Sequence, residues 1–429
     1  MLDIKFIRQN KNIVQEAVKN KKAQVDIEEL LELDKKRREI MELSESLKAE
    51  QNKRSQGPQS PESIEELKKL KGRFKESEDR LAEADSKFQE LMFKVPNIPS
   101  QDTPIGQDES SNKVINQVGK IPKFSFKPKE HWELGQELNI LDTERASKVS
   151  GTRFVYMKGG LALMELALVQ YALSVLISQK QLKKIIKKAK LNIVDKPFTP
   201  IVPPVFIKPD VFRKMGRLEP KEERYYIQSD DLYLVGSAEH TLGPMHMDEF
   251  LEIESLPLRY VGFSTAFRRE AGSYGKDTKG MFRVHQFDKL EIESFTLPED
   301  SEKEQDFILA IQEHMIQELG LPYQVVAIST GDMGVPDARQ IDIETWMPGQ
   351  NKYRETHTSD LMTDFQSRRL GIRFKRDNKS EFVHMNDATA FAGRTLIAIM
   401  ENFQTEKGTI KIPKILQKYM GGIKEIGPK

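Results

Sequence analysis

Cysteine is absent from the 429 residues. Its absence excludes disulfides, thiol nucleophiles, iron–sulfur clusters and zinc held by thiolates, and it fits a reducing compartment. An excess of either charge is absent as well. Lys and Arg number 67 against 66 Asp and Glu, a formal net charge of +1. A uniformly basic nucleic-acid coat is thereby excluded, whereas a local patch is not. Long hydrophobic runs are lacking. The longest apolar stretch, 159–177, carries Glu165 and Gln170, so it reads as a buried helix and no membrane partner is expected. The start, MLDIKFIRQNKN, is charged and has no apolar signal-peptide segment. Charged residues are plentiful at 31%. At one folding unit per roughly 150 residues, the chain has room for two or three.

The first hundred residues differ from the rest. The stretch 27–55 is dense in Leu, Glu, Lys and Arg, and Asp26 with Glu29 has the spacing of a helix-capping pair. Gln56-Gly57-Pro58 ends that helix. Ser60 and Pro61 open a second one, expected over 61–93. Leu67, Phe74, Leu81 and Phe88 recur every seventh residue, as do Leu70, Ser77, Ala84 and Leu91. Two such columns make a heptad seam. Leu33, Ile40 and Leu47 form a weaker one, interrupted by Arg37 and Ser44 in the other column. A short break between two helices of roughly 30 residues predicts an antiparallel arm about 45 Å long. The pattern alone suits an oligomerisation or spacer element and a binder of a long ligand equally well. Residues 1–100 are thus expected as an arm-bearing domain, and the Pro/Asn/Ser/Gly-rich 101–126 as a linker. Residues 127–429 are expected as an α+β domain with an antiparallel sheet, because strands and helices do not alternate regularly. The run Ile341, Ile343, Thr345 against Asp342, Glu344, Trp346 reads as a strand with one polar face.

Common nucleotide signatures are missing: there is no GxxxxGK[ST] loop and no strand–GxGxxG–helix unit. None of the seven histidines, His131, His240, His246, His285, His314, His357 and His384, forms a close ligand pair. Three segments stand out instead. In 267–293, Arg268 and Glu270 are two apart, as on one face of a strand. After the turn GSYGKDTKG, Arg283, His285, Phe287 and Lys289 alternate on another. A fixed guanidinium there can grip a phosphate at two points, and Phe287 can stack on a base. The second segment is TDFQSRR (363–369) with 353–358 before it, and carboxylates also gather at Asp332, Asp342, Glu344 and Glu355, which suit Mg²⁺, an ion that takes one or two carboxylates near phosphates. In the third segment Arg394 enters an apolar helix, where an arginine is costly to bury without an anion. The basic run 182–190, LKKIIKKAK, reads as a solvated helix face or as a local patch for phosphates.

These segments carry a resemblance. Phe267-Arg268-x-Glu270 with Arg283-x-x-Gln286-Phe287 resembles motif 2 of class II aminoacyl-tRNA synthetases, Gly393-Arg394-Thr395-Leu396 their motif 3, and FTPIVPPV (198–205) their motif 1. The opening MLDIKFIRQN, ELLELDKKRRE, VPNIP, SGTRFVYMKG, DDLYLVGSAEH, EAGSYGKDTKGMFRVHQFDKLE, STGDMG and TDFQSRR look like the bacterial-type seryl-tRNA synthetases from end to end. The resemblance implies a class II catalytic domain and an arm that grips the long variable arm of tRNA(Ser) across a homodimer. The expected location is the cytoplasm, and Mg²⁺ rather than zinc the expected metal. It implies serine activation by ATP to seryl-adenylate, then transfer to the 3′ end of tRNA(Ser), with tRNA(Sec) a further candidate. A relative that binds RNA without aminoacylating, and a ligase loading a carrier protein, are the alternatives. The latter would have no use for the arm.

The resemblance also distributes roles. Arg268, Glu355 and Arg394 are the catalytic set, with Arg268 on the α-phosphate and Arg394 at the γ-phosphate end. Phe287 stacks on adenine beside Val284, while Arg269, Glu270 and the span Glu355, Thr356, His357, Thr358 complete the ATP site. Glu355 and Thr358 take the metal. Ser237, Ala238, Glu239, Arg268, Glu291, Asp387 and Thr389 form the serine site, with Glu239 and Glu291 on the amino and hydroxyl groups. Ser237 stands where the family has threonine, and Thr358 where it has serine, so each keeps a hydroxyl. The path from His384 to Arg394 is one residue shorter than in the family. Counting forward from His384 places Asp387 and Thr389 in the pocket, and counting back from Arg394 places Asn386 and Ala388 there. The forward count keeps a hydroxyl and is preferred.

Overall fold

The structure is a computed structural model that describes residues 1–56, 60–272, 277 and 279–428. The chain divides into two compact units, Met1–Ile98 and Pro99–Lys429.

In the first unit, two short helices (Ile4–Gln9 and Lys11–Asn20) precede the long helices α1 (Ile27–Ser55) and α2 (Pro61–Lys94). Asp26 caps α1 by accepting from the backbone N–H groups of Glu28 and Glu29. Ser60 and Ser63 form a reciprocal box at the start of α2, satisfying two donors that a helix start leaves unpaired. The heptad seam lies where its columns predict. Leu70, Ser77, Ala84 and Phe88 are buried, with Leu67, Phe74, Leu81 and Leu91 half-buried beside them. Arg37, in the weaker column of α1, pairs with Asp85 of α2 and lies 4.8 Å over the Phe88 ring. Asp34 is buried but met by Arg8 and Arg38. The Gly-Pro turn at 57–59 lies outside the described residues.

In the second unit, eight strands form one sheet: β1 (Lys113–Val118), β2 (Thr199–Ile201), β3 (Leu258–Phe267), β4 (Gln286–Thr296), β5 (Tyr323–Ala327), β6 (Arg339–Met347), β7 (Lys352–Thr363) and β8 (His384–Ala392). Their order is β1-β5-β6-β7-β8-β4-β3-β2. All neighbours are antiparallel except β2, which runs parallel to β3. The expected α+β class with an antiparallel sheet is what the chain forms. Helices α3 (Gly160–Leu176), α4 (Gln179–Ala189), α5 (Ser301–Leu319) and α6 (Gly393–Asn402) contribute to one core with the strands. That core joins Leu161, Phe307, Ile311 and Ile399 to Ile292, Ile343 and Ala388. Helix α3 is the long apolar stretch. Burial, with Asp288 nearby, pushes its Glu165 carboxyl up to about 7. Helix α4 is amphipathic, burying Leu182 and Ile185 while Lys183, Lys184, Lys187 and Lys188 stay exposed.

Two sequence expectations need correction. The linker 101–126 is not a free tether, because β1 lies inside it and pairs with β5. Its polar residues are also anchored: Thr103 Oγ1 donates to Ala338 O at 3.0 Å, and Asn112 Oδ1 accepts from Ser329 N at 2.9 Å. Pro, Asn and Ser mark irregular backbone, which is compatible with a loop fixed to a sheet. An edge strand exposed along nearly its whole length has no burial alternation to betray it. The charged hairpin is also shorter than expected. Strand β3 ends at Phe267 and β4 begins at Gln286, so Arg268, Glu270, Arg283 and His285 lie off the strands. Glu270 has a left-handed φ of 52°, which no strand residue adopts. Residues 273–276 and 278 of the glycine-rich turn lie outside the described residues.

Candidate active site

The face of the sheet opposite the helical core carries a cleft of about 350 Å³. Strands β4, β7 and β8, the start of α6, the segment after β3 and the short helix Glu239–Leu242 build it. Of the predicted residues, Glu239, Arg268, Glu270, Val284, Phe287, Glu291, Glu355, Thr356, Thr358, Asp387, Thr389 and Arg394 line it.

Arg268 is held at the cleft wall by its Nε, which donates to Gly236 O at 3.0 Å, and its guanidinium lies 5.4 Å from the Phe287 ring centre. Arg283 donates to Glu270 Oε2 at 3.2 Å. Arg394 sits over Phe282 at 4.7 Å and pairs with Glu355 Oε2 at 2.9 Å. Burial acts to raise the Glu355 carboxyl, but the Arg394 charge outweighs it and leaves it below its ordinary value. Deeper in, Lys289 pairs with Glu291 and reaches Ser237 Oγ at 3.3 Å, while Thr389 Oγ1 donates to Glu291 Oε1 at 3.3 Å. Burial pushes the Glu291 carboxyl up to about 7, with Lys289 opposing. Oε2 of Glu291 has no hydrogen-bond partner among the described residues.

Two β-bulges decide which side chains enter the cleft. Pairing of β6 with β7 shifts between Ile343/Glu344, so that His357 faces Ile343 and Glu355 faces Glu344. The extra residue, Thr356, ties its hydroxyl to Thr345 Oγ1 at 2.8 Å. An inserted residue reverses the alternation of a strand, so Glu355 and Thr358 share the cleft side although they are three apart. His357 therefore does not line the cleft. It is buried in the sheet, and burial pulls its imidazole down to about 4. The second bulge lies at Ala390, between the pairs Leu290–Phe391 and Glu291–Thr389. Before it, Asp387 and Thr389 line the cleft, whereas Ala388 belongs to the helical core and Asn386 is absent from the cleft lining. After it, Ala392 and Arg394 line the cleft. Asp387 and Thr389 therefore share the cleft side with Ala392 although the numbering changes from odd to even, because the bulge changes parity between them.

Three further predicted residues lie beside the cleft. Ser237 and Ala238 are buried at the entrance to the Glu239 helix, and Arg269 is exposed over Tyr225 at 5.7 Å. Sequence reasoning missed Arg217, Asp337 and Asp360, all of which line the cleft. Arg217 Nη2 donates to Asp337 Oδ1 at 3.2 Å, Asp360 Oδ2 at 3.3 Å and Asp387 Oδ2 at 3.1 Å, and its Nε lies 3.2 Å from Glu239 Oε1. Burial and then neighbouring carboxylates push Asp360 and Asp387 well above the ordinary carboxylate range. Burial would raise Glu239 too, but Arg217 holds it well below that range. His240 accepts Gly236 N–H at Nδ1, and burial pulls it down to about 4.

Possible metal donors gather near Glu355. Thr358 is the cross-strand neighbour of Asp342, whose carboxyl is pushed well up by burial and by Glu355. Among the described residues no group of three or more His, Cys, Asp or Glu is arranged around a metal position. No single helix there is long and apolar enough to cross a membrane.

A cationic wall with a stacking ring, joined to a buried acidic floor, suits an anionic nucleotide and a small ammonium-bearing ligand in one cleft. Comparison with known proteins agrees. Residues 223–403 match the tRNA synthetase class II core domain (G, H, P, S and T), and residues 1–99 match the seryl-tRNA synthetase N-terminal domain. The serine–tRNA ligase of Nitrosopumilus maritimus is 37% identical over 99% of this chain and 100% of its own. That of Geobacter sp. strain M21 is 38% identical over the same shares. The crystal structure of seryl-tRNA synthetase from Pyrococcus horikoshii complexed with ATP superposes with a TM-score of 0.88 at 37% identity, covering all of both chains. The chain belongs to the seryl-tRNA synthetase family of class II synthetases, ATP-dependent ligases that join serine to tRNA.

Proposed function

We propose that this one cleft holds ATP against its cationic wall and serine on its acidic floor, with the roles divided as follows. Arg268 contacts the α-phosphate and Arg394 the γ-phosphate end, and Phe287 stacks on adenine beside Val284. Glu239 takes the serine ammonium and Glu291 the hydroxyl, with Thr389 and Asp387 alongside. In the first step the serine carboxylate attacks the α-phosphorus and pyrophosphate leaves. In the second, the terminal ribose hydroxyl of tRNA takes the seryl group and AMP leaves. The first step needs positioning and charge stabilisation more than proton transfer. Arg268 serves both, because its Nε anchor on Gly236 O fixes the guanidinium where negative charge builds up. A buried acceptor aimed at the substrate hydroxyl penalises alanine, which would leave it unpaired.

Glu355 and Thr358, with Asp342 adjacent, offer an all-oxygen donor set of the kind Mg²⁺ prefers. When bound there, the ion would neutralise phosphate charge. Arg394 now occupies Glu355, so ATP binding would separate that pair.

The observation that carries this reading is the convergence of Arg268, Phe287, Glu355 and Arg394 on the cleft that also holds Glu239, Glu291 and Thr389. Pyrophosphate exchange by the purified full chain with Mg²⁺ and ATP tests it across serine, threonine, alanine and glycine. Exchange with serine alone is expected, and folded protein that exchanges with none of them would overturn it. The arm is read as the grip on tRNA(Ser), with cytoplasmic homodimers of the bacterial type as the working form. The solvent-facing run Lys68, Lys69, Lys71, Arg73 and Lys75 on α2 supports that grip, since such cations exchange counterions for phosphates. Deleting 27–93 should leave serine activation within about twofold and reduce tRNA charging at least tenfold. Equal charging by the truncated chain would remove the arm's role.

A further inference from the structure

Arg217 lies in the acidic floor of the cleft, where no sequence motif marks it. Its side chain is 16% exposed. Its partners come from four separate segments: Glu239 from the short helix, Asp337 from the turn before β6, Asp360 from β7 and Asp387 from β8. Its backbone is fixed as well, since Arg224 Nη2 donates to Arg217 O at 2.7 Å. Gly334 makes room for the arrangement. A Cβ there would fall 2.3 Å from Asp337 Oδ2 and 2.9 Å from Arg217 Nη1.

We infer that Arg217 is a specificity-determining residue, a guanidinium locked in place that walls the amino-acid end of the cleft and limits the side chain admitted there. The inference rests on the serine-site reading above, because Arg217 touches Glu239 and Asp387. Excluding one methyl group by shape discriminates only about 10–200-fold, and it fails if the wall moves aside. An arginine on the surface swings freely, but this one would have to break contacts with carboxylates from four segments at once. Lysine could not replace it, because a point charge lacks the planar fork that reaches several carboxylates together.

The floor also has acceptors to spare. Glu291 Oε2 and Asp360 Oδ1 are buried without hydrogen-bond partners among the described residues. Four carboxyl groups around one guanidinium offer more acceptor oxygens than it can pair, and Glu239, held ionised by Arg217, complements a substrate ammonium. A substrate side chain bearing its own carboxylate would be repelled. The wall therefore selects by size and the floor by charge.

The test is amino-acid-dependent pyrophosphate exchange by the full chain, comparing wild type with Arg217→Gln, Arg217→Lys and the double variant R217Q/D387N. R217Q is expected to raise serine KM at least tenfold, with ATP KM within twofold. It should raise the threonine-to-serine ratio of kcat/KM at least tenfold. R217K, which keeps the charge but not the fork, should raise that ratio at least threefold, and it carries the test if R217Q does not fold. In the double variant one uncompensated carboxylate is gone, yet the ratio should stay high. An unchanged ratio in folded R217Q, or its return to wild type in the double variant, would overturn the inference and leave Arg217 a mere counter-ion. A wild type that does not exchange with serine would instead overturn the functional reading on which the inference stands.

Discussion

Two arginines of the second unit, one buried and one half-buried, invite comparison. Arg259, on β3, is 2% exposed and closed on itself. Its Nε and Nη2 each meet Glu304 at 2.7 Å, its Nη1 donates to Val194 O and Lys196 O, and it lies 4.6 Å over the Phe307 ring. One guanidinium faces one carboxylate in bidentate geometry, and Ser294 Oγ supports that carboxylate at 2.8 Å. Arg217 is surrounded by more carboxyl oxygens than it can pair, and among the described residues Asp360 Oδ1 is left without a hydrogen-bond partner. The difference separates architecture from site. A satisfied ion pair fixes helix α5 to the sheet and has nothing left to bind, whereas an over-supplied one leaves acceptors for a ligand.

The sharpest way to break the comparison is to remove an arginine that the site needs for charge. Arg268→Ala should lower adenylate formation by about 10³-fold or more, in line with loss of a strong transition-state contact. Near-normal pyrophosphate exchange would refute its role. The architectural arginine should respond in the opposite sense. Glu304→Ala strands a buried guanidinium and should cost about 3–5 kcal/mol of stability, read by chemical denaturation. The fraction that remains folded should exchange pyrophosphate normally. A lowered serine kcat/KM without loss of stability would erase the distinction between the two arginines.

Smaller effects test the floor. Thr389→Ala removes a neutral hydrogen bond to Glu291, worth about 1 kcal/mol, so serine KM should rise about fivefold while ATP KM stays put. An unchanged serine KM would move weight to the backward count of that strand. The last prediction concerns pH. The Glu291 carboxyl sits at about 7 against an ordinary 4.5, so the folded state holds this proton more tightly than the unfolded one. Stability from this group is therefore present at low pH and lost as pH climbs from about 4.5 to about 7. Relative to Glu291→Gln, the wild type should lose melting temperature across that window. Parallel curves would mean that Lys289 keeps Glu291 ionised throughout.

Much of this was legible in the chain. The arm was readable because a seven-residue step on a helix of 3.6 residues per turn keeps returning to one face. Leu70, Ser77 and Ala84 carry that message without tertiary help. Strand β6 was readable from its alternating isoleucines, although its other face is not solvated: Asp342 is buried there beside Glu355. Arg268, Phe287, Glu355 and Arg394 were found by resemblance, and all four line the cleft. His357 was misplaced because a bulge has no sequence signature in β7. A single inserted residue exchanges the two faces, and nothing in RETHTSD announces it. Arg217 was missed for a different reason. The sequence MGRLEP resembles an ordinary helix exit, and three of its partners lie 120, 143 and 170 residues further along the chain.

By itself the sequence determined the secondary-structure periods, the helix starts, the absence of thiol chemistry and the identity of the groups able to meet phosphate. Those properties depend on residues a few positions apart, where backbone geometry is fixed. Only the tertiary structure decided which of two adjacent side chains enters the cleft, and which carboxylates share one arginine. Strand register and long-range charge pairing are set by the packing of the whole sheet, and a single bulge shifts every residue that follows it.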